Sequence, residues 1–199
     1  MSGAVITTLV GMGRWEPGAR GRLAQVALEL YAERGYEQTT VGDIAERAGV
    51  TERTFFRHFA DKREVLFDGS ETLQHTLVAA IAAAPAELAP LDVVGAAYGA
   101  AAAVLDERRD HAVRRAGVVA ANPSLQEREL LKMATLTAAA AAALRGRGTP
   151  GPTATVAAEI GTAAFRIGFE AWVADPDSTP LADQVGAALA ALRAVAAHP

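Results

Sequence analysis

The chain contains no cysteine, which excludes disulfides and thiolate metal sites. No apolar run is long enough for a transmembrane helix, and nowhere do apolar and polar residues alternate as they would in a half-buried strand. Basic excess is missing too. The formal net charge is −4, so the chain cannot coat nucleic acid wholesale, and any DNA binding must come from a local patch. His75 and His111 have no ligand partner at helical spacing, so no metal site is expected. No Ser/His/Asp arrangement, paired-carboxylate motif or phosphate-binding glycine loop supports catalysis, and no cofactor is implied.

What is present is alanine, leucine and arginine. Hydrophobic residues make up 51% of the 199, enough for a real core. Heavy alanine content and few β-branched residues favour helices. Arginine far outnumbers lysine, which suggests a GC-rich bacterial genome. Met1–Val10 is apolar but short, with no basic residue before it. Residues 1–18 are therefore expected to form a flexible arm rather than a signal peptide, on a bacterial cytoplasmic protein with no membrane association.

Leu23, Val26, Ala27, Leu30 and Tyr31 recur at the spacing of one buried helical face. Gly35 follows as a left-handed cap, with Tyr36 placed to pack back. Thr40 reads as the N-cap of a short helix carrying Ile44, Ala45 and Ala48, with Asp43 in its first turn. Gly49 ends that helix. Thr51 caps another, with Phe55 and Phe59 on one face. Asp61–Glu64 resembles a capping box for a long fourth helix whose stripe is Leu66, Leu73, Leu77 and Ile81. Leu91, Val94, Tyr98 and Leu105 form a further stripe, and the arginine-rich segment 106–119 follows. Ser124–Glu127 is a capping box for a helix to about Leu144. Arg145–Pro152 is a loop, and helices over about Thr153–Ala174 and from Thr179 onward complete the chain. The expected architecture is all-α, about nine helices in total. A three-helix domain over residues 19–65 leads into an effector-binding and dimerisation bundle over 66–199.

Two short helices joined by Gly49-Val50 have helix-turn-helix spacing over Val41–Phe59. An ordinary helical hairpin has the same spacing. The exposed positions of the second helix favour DNA: Glu52, Arg53, Thr54, Arg57 and His58, with Lys62 just beyond, converge on one edge. The stretch TTVGDIAERAGVTERTFFRHFADKREVL, Thr39–Leu66, and the preceding AERGYEQTT resemble the DNA-binding signature of the TetR family of transcriptional regulators.

That resemblance implies an all-helical homodimer on palindromic double-stranded operator DNA, with C-terminal pockets whose small-molecule effector releases the repressor. It places Thr40 at a helix cap on phosphate, Arg53 and Thr54 at base-reading positions, and His58 and Lys62 at backbone contacts; the cap Thr51, Phe56 and the exposed Arg57 complete the candidate DNA-binding residues. Phe56 stands where many relatives have Tyr, and Gly42 where some have a base-reading side chain. Glu52 could accept from a cytosine amino group or simply favour the helix N-terminus. Arg14, Arg20 and Arg22 could reach a flanking minor groove or stay solvated.

Pocket candidates are Tyr98, His111, Phe165, Arg166, Phe169, Glu170 and Trp172, although aromatics at this spacing also serve as core and Arg166 can simply pair with Glu170. Arg108, Arg109, Arg114 and Arg115 could recognise an anionic effector or form a solvated face with Glu107 and Asp110. A hydrophobic or amphipathic effector is expected from the apolar composition beyond Leu66. Gly161, Gly168, Leu181, Val185, Ala188, Leu189 and Leu192 are the candidate dimer interface, although the same faces can serve the chain's own core and part of each must. The competing readings are a helical binding bundle or enzyme without DNA function, and sequence-independent architectural DNA binding, which the acidic charge disfavours.

Overall fold

The computed structural model describes residues 18–197. The expected arm, including Arg14, lies outside the described residues apart from Gly18. Nine α-helices and one 3-10 turn follow in order: α1 (Ala19–Arg34), α2 (Val41–Arg47), α3 (Glu52–His58), the 3-10 turn Glu64–Phe67, α4 (Ser70–Ala83), α5 (Pro90–Asp106), α6 (Arg109–Ala120), α7 (Pro123–Gly146), α8 (Gly151–Ala174) and α9 (Leu181–Ala197). There is no strand among the described residues. None of their helices is long and apolar enough to cross a membrane.

Three local expectations change. Gly35 takes φ 89° and ψ 151°, a positive but extended conformation rather than a left-handed helical cap, and Tyr36 then packs edge-on to Tyr31 at 5.2 Å. Asp61 does accept from the Arg63 and Glu64 backbone N–H groups, at 2.8 and 3.0 Å, but it opens only the 3-10 turn. Val65, Leu66 and Phe67 are buried in succession, which a single α-helical stripe cannot achieve. The chain restarts as α4 after Gly69, at φ 97°. Finally, α7 begins on Pro123 at its first turn, ahead of the expected Ser124 cap. The Asn122 side chain donates back to the Val118 carbonyl instead of capping α7.

Two main cores result. One joins α1, α2, α3 and the 3-10 turn, and it draws in Val118 and Val119 of α6 and Leu125 of α7. The expected boundary after residue 65 is therefore bridged by shared apolar contacts. The other core lies among α4, α5, α7, α8 and α9 and contains Tyr98 and Trp172.

This second core, with a small cluster of Ala164, Ala188 and Leu189 beside it, takes up most of the expected dimer face within the chain. A Cβ on Gly161 would lie 2.0 Å from Val94 Cγ1, and one on Gly168 2.7 Å from the Val185 backbone nitrogen. Both glycines serve close approach within the chain, to α5 and α9. Leu181, Val185, Ala188 and Leu189 are buried in the same way, and Leu192 packs partly buried beside Ala188 and Leu189. Periodicity marked these faces as apolar and slim. It could not say that the chain's own helices already occupy them.

Candidate nucleic-acid interface and internal cavity

The helix-turn-helix is built by two threonine caps and one glycine. Thr40 Oγ1 accepts from the Asp43 backbone N–H at 3.1 Å, and the Asp43 carboxylate accepts in return from the Thr40 N–H at 2.8 Å. The Thr40 hydroxyl and backbone hold the Asp43 carboxyl below the usual aspartate range. Gly49, at φ 69°, lets Val50 N–H reach the Ala45 carbonyl at 2.9 Å, which turns the chain between α2 and α3. Thr51 then caps α3 by accepting from Thr54 N–H at 3.2 Å. Phe55 and Phe59 anchor α3 inward, with ring centroids 5.7 Å apart.

The outer face of α3 carries Glu52, Arg53, Phe56 and Arg57, all exposed, with Thr54 half-buried. Phe56 is 54% exposed, a large apolar ring offered to solvent beside two arginines. Gly42 at the start of α2 faces the Glu52 carboxylate: a Cβ there would stand 3.0 Å from Glu52 Oε1. The Glu52 side chain thus lies across the N-terminus of α2, where a carboxylate is favoured.

Three expected contact residues are turned to internal work. The Lys62 ammonium donates to the Tyr36 and Thr39 carbonyls at 3.0 and 3.1 Å and sits 4.3 Å over the Tyr36 ring. It is an internal tie between the 3-10 turn region and the α1–α2 loop rather than a side chain held out for phosphate. His58 has its Nε2 buried without a hydrogen-bond partner among the described residues. Arg20 binds Asp68 at 2.7 Å, donates to the His58 carbonyl and covers the Phe59 ring.

The last of these contacts leads to a cavity of about 200 Å³ between α4, α5, α6, α7 and α8. Leu73, Leu105, Met133, Phe165 and Phe169 form its apolar side, and Asp68, Arg108, His111, Arg115, Glu129 and Lys132 its polar side. His111, Phe165 and Phe169 are the pocket candidates that line it. Tyr98 is not among its lining residues: it is fully buried, and its hydroxyl meets Thr162 Oγ1 at 2.6 Å. Burial pushes its phenol up to about 12. Trp172 is also core, under the Arg109 guanidinium 4.5 Å away. Arg166 and Glu170 pair with each other at 3.1 Å on the surface.

Three ties, invisible in the sequence, cross from this cavity region to the N-terminal core. The first is Arg20–Asp68. In the second, Arg115 donates to the Leu66 carbonyl at 2.6 Å, pairs with Glu129 at 2.5 Å and covers Phe67. In the third, Glu64 of the 3-10 turn is gripped by both Arg128 and Lys132 of α7. No sequence signal marks such pairs, because their members are far apart along the chain.

Two capped helices joined at a positive-φ glycine, with arginines on the outer face of the second, define a helix-turn-helix DNA-binding domain on an all-α scaffold. Residues 23–68 match the model of the bacterial regulatory proteins of the tetR family. The chain is 44% identical over 91 residues to TcmR, an HTH-type transcriptional regulator of Streptomyces glaucescens, covering 46% of this chain and 39% of TcmR. It is 45% identical over 47 residues to the HTH-type transcriptional repressor KstR2 of Mycobacterium tuberculosis, covering 24% of each. The matched stretches thus span less than half of these relatives. A Mesorhizobium loti protein described as a TetR-family transcriptional regulator shares the fold, with TM-score 0.59 and 19% identity over 90% of this chain and 98% of that one.

Proposed function

We propose that this protein is a homodimeric one-component transcriptional repressor that binds a palindromic operator and leaves it when a small molecule enters the cavity. The observation that carries the proposal is the outer face of α3. Its ends are fixed by Thr51 and Phe59, and it presents Arg53, Thr54 and Arg57 to solvent from a helix too short to stand alone. Arg53 and Thr54 read bases, Arg57 contacts phosphate, and the exposed Phe56 packs against the sugar-phosphate edge.

Release follows from the three ties. A ligand whose head group or body shifts Asp68, Arg115 or Lys132 on the cavity wall loosens Arg20, Leu66 or Glu64, and with them the seating of α1 and the 3-10 turn. The dimer uses the outward stripe one step around from the face first expected. On α8 this is Val156, Ile160, Ala163, Ile167 and Ala171, and on α9 it is Gly186, Ala187, Ala190 and Val195, of which Val156 and Val195 are 58% and 77% exposed. Small side chains here let paired helices approach closely, and a stable interface needs roughly 1,200 Å² in total.

Selection of bound sequences from a random DNA pool tests the proposal. The expected product is a palindrome, with Arg53→Ala relaxing one base position per half-site. Recovery of unrelated sequences, or no recovery at any salt, overturns it. Ile167→Glu, on the exposed stripe, should give a monomer by light scattering; an unchanged dimer would move the interface elsewhere.

A further inference from the structure

The charges around the cavity are unequal, and the inequality specifies a ligand. Asp68 is held by Arg20, Glu129 by Arg115, and Glu64 is shared by Arg128 and Lys132. Arg108 lines the polar side, and its side chain makes no hydrogen bond or ion pair among the described residues. On the lining itself three cations, Arg108, Arg115 and Lys132, therefore stand with two carboxylates, Asp68 and Glu129. A cationic ligand would have to displace an arginine from its carboxylate, and a neutral one would leave the exposed Arg108 guanidinium to water. An anionic group needs neither.

We propose that the cavity binds a small organic anion with an apolar body, its head group on Arg108 and His111 and its body against Phe165 and Phe169. The apolar side supplies the complementary half: Leu73, Leu105 and Met133 face the same space as the two rings, whose centroids are 6.3 Å apart in a stacked arrangement. A volume of about 200 Å³ equals roughly seven water-sized groups and falls below the roughly 300 Å³ at which drug-sized pockets begin. The body is thus the size of a medium alkyl chain or a fused aromatic pair.

His111 gives the site a pH signature. Burial, together with Arg108, Arg115 and Arg114 on its own helix, holds its imidazole below the usual histidine value, against the opposing pull of Asp68 before α4. Lys132 and Glu129 face the cavity from α7, whereas α5 and α8 add only Val104, Leu105, Phe165 and Phe169 to its lining. The resting imidazole is neutral near pH 7. An anion beside it favours the protonated form, so binding takes up a proton and tightens as pH falls.

The ligand class concerns the same cavity as the effector reading above and rests on that reading for its regulatory consequence only. Calorimetry on the full chain with two matched probe sets tests it: octanoate, octanol and octylammonium, then 2-naphthoate and its hydroxymethyl and aminomethyl counterparts. In at least one set the carboxylate should bind ten-fold or more tightly than both counterparts. Arg108→Gln should erase that preference at unchanged melting temperature, and His111→Gln should flatten the pH dependence. The proposal fails if no probe binds, if a neutral or cationic member binds as well, or if Arg108→Gln keeps the preference. Gel shifts with the same probes separate the two readings. Carboxylate binding that leaves operator binding intact would sink the effector role alone, and release by a neutral or cationic probe would sink the ligand class alone.

Discussion

Around Phe55 the N-terminal helices meet through large side chains (Tyr31, Ile44 and Phe59 among them), whereas around Gly161 helix α8 meets α5 with no side chain of its own between them. The helix starts differ in the same way. Thr40 and Thr51 cap α2 and α3 by hydrogen bonds from their side chains, while α4 to α8 open without a side-chain cap bond, three of them on proline. One region holds two short helices, α2 and α3, pinned by specific contacts. The other is long helices that slide close because alanine and glycine permit it. Under the proposed function, the first arrangement suits a surface that holds a fixed pitch against DNA, and the second a bundle that admits a ligand.

The largest test removes the pin. Phe55→Ala should destabilise the N-terminal domain by about 3–5 kcal/mol, the range for deleting a fully buried aromatic, and abolish operator binding while the bundle stays folded. Separate transitions for the two regions on denaturant titration would show this. A single shared transition would instead show that Val118, Val119 and Leu125 bind the two cores into one cooperative unit.

Gly161→Ala probes the other region. The new methyl group would collide with Val94 and Tyr98, at a cost of about 1–3 kcal/mol for overpacking. Trimming the opposite wall with Val94→Ala should recover part of that loss. If the double variant is no better than the single one, the close approach is not what Gly161 provides.

Lys62→Met should cost the N-terminal domain about 1.5–3 kcal/mol for hydrogen bonds from a charged group to the Tyr36 and Thr39 carbonyls. It should leave the salt dependence of DNA binding unchanged. A slope reduced by about one unit would return Lys62 to the phosphate.

The contrast also explains what the sequence could reveal. In the N-terminal region the determinants are local: the α1 stripe, Thr40 with Asp43, Gly49, and Thr51 with Thr54 all lie within a few residues of their partners, so the helix-turn-helix is legible from spacing. In the bundle the same kind of pattern is ambiguous. The face holding Gly161, Gly168 and Leu189 is apolar and slim whether it packs on its own chain or on a second copy. Only the fold shows that α5 and α9 occupy it and that Val156 and Ile167 face out. The cavity was harder still. Tyr98 and Trp172 share the helical register of core residues, Asp68 is unremarkable in sequence, and Arg108 is one of four arginines between which spacing does not choose until neighbours on other helices are placed.

The smallest expected effect bears on the caps alone. Thr40→Ala removes the hydroxyl that accepts from Asp43 N–H and donates to its carboxylate at 2.6 Å, at a cost of about 0.5–2 kcal/mol. The Asp43 carboxyl is held low by that hydroxyl first and by the Thr40 backbone second, so its folded-state value lies below its unfolded one. Its contribution is therefore complete above the ordinary aspartate value and lost as pH falls through the depressed folded value. Melting curves of the parent and Thr40→Ala should accordingly draw closer as the solution is acidified past that range, down to the part owed to the Asp43 N–H bond, which does not titrate. Since α4 to α8 carry no such cap, the narrowing should be confined to the N-terminal transition. A gap that persists unchanged in acid would mean that the threonine acts through the N–H bond and packing alone, without the Asp43 carboxylate.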